Sequence, residues 1–308
     1  MACPTKLRRR RRTVLRRAGP LLLAVGAVAL LAAPAGAAGG AAWQSAPAAV
    51  VQAVTQVPQS VFDAVGLQPN VAAPVLLHAQ KPLTFGGKPG IFYVGAEPCP
   101  YCAAQRWAFV IALARFGTWS KLGINQSATN DIDPATQTFT FSHATYSSPY
   151  VAVRTREVLS NDLLANGHYA PLQPLNSQET ALLNRYSSAT YFPANPGYYP
   201  FLDFDNRVVI SQSSYNPDLL QGLTRQQIAA DLSDPTNPVT MAIVATANYL
   251  SAATCLIDGG RPTTVCHSPG VLRSTHFVKR SYGFGVSSCT KAKNGQSICG
   301  GAGTSSQG

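Results

Sequence analysis

Negative charge is missing from the first 62 residues of this chain, histidine is nowhere clustered, and no motif recurs at a fixed period. The last absence excludes solenoids, propellers and other repeat architectures. His78, His143, His168, His267 and His276 are scattered, and each reads as a surface or hydrogen-bonded side chain, not as a ligand. Positive charge is plentiful by contrast: 24 Lys and Arg against 13 Asp and Glu give a formal net charge of +11 over 308 residues. Eight of those cations lie in "MACPTKLRRRRRTVLRR", which leaves +3 (11 − 8) for everything after residue 17. A surface that tracks phosphates needs its cations on the folded body. Nucleic acid is therefore not the expected partner.

The basic run leads into "AGPLLLAVGAVALLAAPAGAAGGAAW", and no charge appears until Asp63. A basic segment, an apolar run and small residues are the grammar of export. "AGA" at Ala35 to Ala37 fits a signal-peptidase site, and the run is also long enough, at roughly 20 residues, to span a bilayer uncleaved. Both readings put the body outside the cytoplasm, secreted or held at the cell membrane, because the arginines keep the N-terminus inside. The chain thus divides into a basic cytoplasmic n-region (1–17), a signal peptide or transmembrane anchor (18–38) and an Ala- and Pro-rich tether (39–82) with one short helix near "SVFDAVG". A body (83–260) and a Cys-containing, largely flexible tail (261–308) follow.

Cysteine usage fits an oxidising compartment. Cys3 lies in the leader, and the other six are Cys99, Cys102, Cys255, Cys266, Cys289 and Cys299. Sequence order pairs 99 with 102, 255 with 266 and 289 with 299, with other connectivities open.

Within the body, "GIFYVGA" is a short apolar run of the kind buried on both faces of a sheet. After "CPYC", Trp107, Val110, Ile111 and Ala114 recur at helical spacing as core positions, and Gly117 marks the stop. "LGINQSA" reads as a second strand, and "TFTFSHATYSSPYVAV" as two extended segments. "SQETALLNRY" is a short helix capped by Ser177. "YYPFLDFDNRVVIS" is a hairpin turning at Asp205-Asn206, with Asp203 expected on its solvent face. Thr224 and Gln227 form a capping box, and Asn237-Pro238 starts a helix that runs to Gly259-Gly260.

The pair in "AEPCPYC" is open to three readings: a redox centre, half of a zinc site, or a structural disulfide. Zinc needs two further ligands, and Cys266-His267 is the only nearby candidate. A cysteine at a strand-to-helix junction meets unsatisfied N–H groups and the positive end of the helix dipole, which favour a thiolate. Cys99 would then be the nucleophile and Cys102, three residues on, the resolving thiol. Glu97 is a candidate proton relay. "NQS" at Asn125 fits a glycosylation triplet, a pattern that arises easily by chance.

These residues carry a resemblance. "CPYC" after an apolar strand resembles the dithiol site of glutaredoxins, and "AEPCPYC" the approach to the site in thioredoxins. "YVGAEPCPYCAAQRWAFVIALARFGTWSKL", "ATYSSPYVAV" and "YPFLDFDNRVV" are closer still to the domain-of-unknown-function 929 family, a branch of the thioredoxin-like superfamily. The resemblance implies an α/β thioredoxin-like fold, a central mixed sheet flanked by helices, with a large insertion at about 130–195. It also implies a cis peptide bond at Pro200, with Tyr199 and Pro200 forming a substrate-binding edge opposite the cysteines. About 100 residues separate Cys99 from Pro200, and no Gly-Gly pair follows soon after the proline, a departure from the glutaredoxin pattern that argues against glutathione binding.

The function expected is an exported or membrane-anchored thiol–disulfide oxidoreductase without a bound cofactor or metal. Its partners would be cysteine-containing exported proteins and an upstream redox partner. The alternative is a non-catalytic cell-surface binding module whose CPYC disulfide is structural.

Overall fold

The computed structural model describes residues 43–78 and 80–280, and the backbone of two strands at 289–291 and 297–299. The basic segment, the apolar run with Cys3 and the rest of the tail lie outside the described residues.

Helices α1 (Ala48–Thr55) and α2 (Gln59–Val65) come first, then the short strands β1 (Val75–Leu76) and β2 (Thr84–Phe85). The central strand β3 (Lys88–Gly95) leads through the cysteine pair into α3 (Pro100–Ala114). Next are β4 (Thr118–Ser120), β5 (Gly123–Gln126), β6 (Gln137–Thr140), β7 (Thr145–Ser147) and β8 (Ala152–Glu157). Strands β9 (Leu159–Leu163) and β10 (Tyr169–Pro171) precede α4 (Ser177–Tyr186) and the hairpin β11 (Phe201–Phe204) and β12 (Val208–Ser211). A 3-10 turn at Pro217–Leu220 leads to α5 (Arg225–Asp231), α6 (Pro238–Ile257), α7 (Thr263–Cys266) and α8 (Pro269–Arg280). Strands β13 (Cys289–Lys291) and β14 (Ser297–Cys299) pair antiparallel, and their register sets Cys289 opposite Cys299.

Six strands form one mixed sheet flanked by helices. Its path is β1-β12-β11-β3-β2, and β8 lies parallel to β3 along Gly90 to Gly95. Ile91 and Tyr93 point into a core shared with α3 and α6, while Phe92 and Val94 point into a second core that includes Leu183 and Tyr186 of α4. Burial on both faces is why β3 reads as an unbroken apolar run. The hairpin turns where expected, with Asp205 and Asn206 at φ 58° and 54°.

Several expectations change. The "LGINQSA" strand exists as β5, but it pairs with β6 and not with the central sheet. The parallel neighbour of β3 is β8, whose sequence "AVRTRE" carries no apolar run. Arg154 and Arg156 on β8 pair with the buried Glu179 of α4, at 3.5 and 2.8 Å. The cap of α4 is Asn176, not Ser177. Its side chain accepts the Glu179 N–H at 2.9 Å while Glu179 accepts the Asn176 N–H at 3.1 Å, and this closed box satisfies two terminal donors at once.

The stretch expected to be a tether with one short helix contributes that helix, α2, and a second, α1. Val50, Val54, Val61, Phe62 and Val65 repeat at helical spacing and pack into the same core as α3 and α6. The first part of the tail is also ordered into α7 and α8, with Val271 and Val278 buried. A Cys255–Cys266 disulfide ties α6 to α7. Among the described residues, α6 is the one helix long and apolar enough to cross a membrane, and nearly all of it is buried inside the fold.

Candidate functional site

The cysteine pair sits where β3 ends and α3 begins. Cys99 is the N-cap residue of α3, extended at φ −79° and ψ 122°, and Pro100 occupies the first helical position, where a missing N–H loses no bond. The Cys99 Sγ accepts a long hydrogen bond from the Cys102 N–H at 3.4 Å. This N–H is one of the terminal donors that a helix cannot satisfy internally. The Cys102 Sγ accepts from the Ala96 N–H at 3.5 Å. Both cysteines are present as thiols, and Cys99 is 3% and Cys102 0% exposed. Tyr101, Val158, Leu159 and Tyr199 pack around them. The Tyr199–Pro200 peptide bond is cis. Tyr199 thus meets the cysteines, and the Pro200 C=O accepts the Gln212 N–H at 2.7 Å.

Beneath the thiols lies a charge pair that sequence reading passed over. Arg106, one helical turn after Cys102, is fully buried and bonds Glu157 at the end of β8 through two nitrogens, at 2.6 and 2.9 Å. It also donates to the Ala96 C=O at 2.9 Å, so the same guanidinium braces the loop that enters the site. Burial opposes the Arg106 charge, yet Glu157, and after it Tyr93 and Cys102, hold the pKa well above the ordinary arginine value. Burial raises the Glu157 pKa, and Arg106 pulls it back. Tyr93 completes the group: burial raises its pKa well above normal, and its hydroxyl has no hydrogen-bond partner among the described residues. The signal available in sequence was an arginine on the apolar side of a helix that is otherwise "AAQ-WAFVIALA". Its partner, 51 residues away, carried none.

Glu97 is half-buried at the mouth of this loop. Its Oε1 accepts the Thr140 hydroxyl at 2.6 Å, and its C=O accepts the Asn125 side-chain amide at 3.0 Å. The amide of the "NQS" triplet is therefore engaged inside the fold. Glu97 and Asn125 also line a cleft of about 880 Å³, whose walls come largely from β5, the 127–130 loop after it, and β9.

The remaining candidates lie apart. All five histidines are exposed, and Cys266 is held in its disulfide. Among the described residues no group of three or more His, Cys, Asp or Glu is placed to hold a metal. Trp107 is a core residue whose indole N–H donates to the Gln137 C=O at 2.9 Å. Asp203 is not on the solvent face. It is fully buried at the far end of β11, its Oδ1 accepting the Asn206 N–H at 2.7 Å, and burial, with Asp205 adding, raises its pKa to about 7. The alternation that set it on a solvent face fails because α4 and residues 75–85 cover that side of the sheet.

A family model described as a domain of unknown function (DUF929) matches residues 76–256. No curated protein and no solved structure matches the chain.

Proposed function

The chain belongs to the domain-of-unknown-function 929 family, and from that premise we propose that it is a thiol–disulfide oxidoreductase of thioredoxin-like fold working outside the cytoplasm. The observation that carries this reading is Cys99 at the cap of α3, its sulfur facing the Cys102 N–H. Terminal N–H groups and the helix dipole stabilise negative charge at that position, which is what a nucleophilic thiolate needs. The order strand, Cys-x-x-Cys, helix, cis-proline and hairpin supports the thioredoxin-like assignment, as do β3 and β8 running parallel while β11 and β12 run antiparallel. Of the expected insertion at about 130–195, β8 belongs to the central sheet beside β3 and α4 packs on that sheet, so the added part in this reading is β6, β7, β9 and β10.

In the reductive direction the Cys99 thiolate attacks one sulfur of a client disulfide. A Cys99–client mixed disulfide forms and the other client sulfur leaves as a thiolate. Cys102, having lost its proton, attacks Cys99, forming the Cys99–Cys102 disulfide and releasing the second client thiol. Two electrons have passed to the client, and an upstream dithiol restores the pair. Oxidation of a client dithiol is the same path reversed. Arg106 lies within electrostatic reach of Cys102 as that sulfur ionises. Glu97, held by Thr140, is the nearest carboxylate along the chain to take up a proton.

The test is trapping in the native host. Cys102→Ala should accumulate mixed disulfides through Cys99 on non-reducing gels, and Cys99→Ala should not. If neither variant yields adducts and the wild-type pair stays oxidised in strong reductant, the pair is a staple. One observation favours that second reading of a non-catalytic binding module: both sulfurs are almost wholly covered, whereas an attacking thiol must reach its client.

A further inference from the structure

Strand β9 has two neighbours of different kinds. Leu159 packs on the cysteine pair, and the next residue, Ser160, lines the cleft of about 880 Å³. The Glu97 N–H donates to the Leu159 C=O at 3.0 Å, so the loop that delivers Cys99 and the wall of the cleft are joined. The floor is tied together by amides. The Asn161 Nδ2 donates to the Asn125 Oδ1 at 2.7 Å and to the Gln126 C=O at 2.9 Å, and Arg225 donates to the Asn125 C=O at 3.2 Å. Three large apolar side chains of the lining, Trp43, Leu163 and Leu172, are 39%, 57% and 36% exposed and stand among exposed polar residues such as Gln126, Asn130 and His143.

Resting on the oxidoreductase reading, we infer that this cleft is the client subsite of the dithiol. Its occupant is an unfolded stretch of polypeptide carrying apolar side chains near its reacting cysteine. Folded proteins keep large apolar side chains inside, so exposed apolar side chains in an otherwise polar cleft select chains that have not yet folded. The amide and hydroxyl floor suits a peptide backbone, which offers alternating donors and acceptors. Charge argues the same way. Glu97 and Asp162 face the cleft, and Arg225 is the one Lys or Arg, beside His143, in its described lining, so the walls have no pair of permanent cations to receive the two carboxylates of a small tripeptide thiol such as glutathione. Continuity through β9 places a bound chain beside the cover of Cys99, so seating the client and displacing Leu159 and Tyr199 are coupled events.

Binding and exchange are separable in one experiment on the full chain. Ribonuclease A, unfolded and with every cysteine alkylated, offers the polypeptide without the thiol, and its binding is followed by fluorescence anisotropy. The wild type should bind it and ignore native ribonuclease A. Leu163→Ser with Leu172→Ser, both at exposed positions, should weaken binding about tenfold at an unchanged melting temperature. With reduced, unfolded ribonuclease A as substrate of the oxidised enzyme, the same variant should lose about tenfold in kcat/KM and keep its rate on a small aromatic dithiol. The inference is overturned if the wild type fails to bind the alkylated chain, if native ribonuclease A binds equally well, or if the double variant binds like wild type. Binding without any thiol exchange would uphold the cleft and sink the oxidoreductase reading instead.

Discussion

Glu157→Gln tests the electrostatics under the cysteine pair. The substitution keeps the shape of the side chain and removes its charge, leaving Arg106 as a buried cation that burial already works against. Two unit charges about 4 Å apart attract by roughly 4 kcal/mol at an effective dielectric near 20. The contacts here, 2.6 and 2.9 Å between nitrogen and oxygen with both side chains fully buried, are at the close end of that regime. Breaking such a pair from one side typically costs about 3–5 kcal/mol, while replacing both partners by apolar residues of similar size is often close to neutral. Urea unfolding should therefore show Glu157→Gln destabilised by about 3–5 kcal/mol, and Arg106→Met with Glu157→Leu recovering most of that. A second readout separates packing from charge. The unbalanced cation should favour negative charge on the sulfur above it, so the thiols should alkylate faster at neutral pH in Glu157→Gln than in the double variant. A loss below about 1 kcal/mol, or a double variant no more stable than the single one, would refute the reasoning.

Two further outcomes follow from the same geometry. Asp203 has a folded pKa of about 7, raised by burial above an ordinary value of 3.8. The folded chain therefore keeps a proton that the unfolded chain releases. Its contribution to stability is fully present below about pH 4 and is lost as pH rises to about 7, a decline of up to about 4 kcal/mol for one group. Asp203→Asn retains an oxygen for the Asn206 N–H and should flatten that slope in denaturation curves taken from pH 4 to 8; a wild-type slope no steeper than the variant's would rule this out. The Cys255–Cys266 bridge spans a sequence separation of 11, and a loop of that size is worth about 3 kcal/mol. Replacing both residues with serine should lower stability by that order without altering thiol exchange, and a change in exchange rate would show that the bridge takes part in the redox chemistry.

Much of the site was legible because its signals are local. Pro100 and the apolar run of β3 place Cys99 at a helix start from sequence alone, and Asp205-Asn206 announce the hairpin by the backbone they tolerate. Thr224 with Gln227, and Asn237 with Pro238, mark their helix starts in the same way. What escaped reading shares one property: it depends on which segments meet. Strand β8 looks polar because its arginines answer Glu179, and Arg106 looks anomalous on its helix until Glu157 stands opposite. Asp203 obeys strand alternation, but the face it alternates toward is covered by α4. Helix α2 stands where the short helix near "SVFDAVG" is expected, whereas α1 resembles a linker, with few charges and many alanines, until Val50 and Val54 find the core.

The amino-acid sequence by itself determined the backbone states at the cysteine pair, the hairpin and the caps of α5 and α6, because each rests on a few neighbouring dihedral preferences and short-range bonds. The tertiary structure alone decided that both thiols lie covered, that a buried ion pair supports them, and that a polar cleft with three exposed apolar side chains shares strand β9 with their cover. Those features are made by groups tens to more than a hundred residues apart. No local preference encodes such a meeting, since burial and Coulomb energy depend on the packed distance and not on the spacing along the chain.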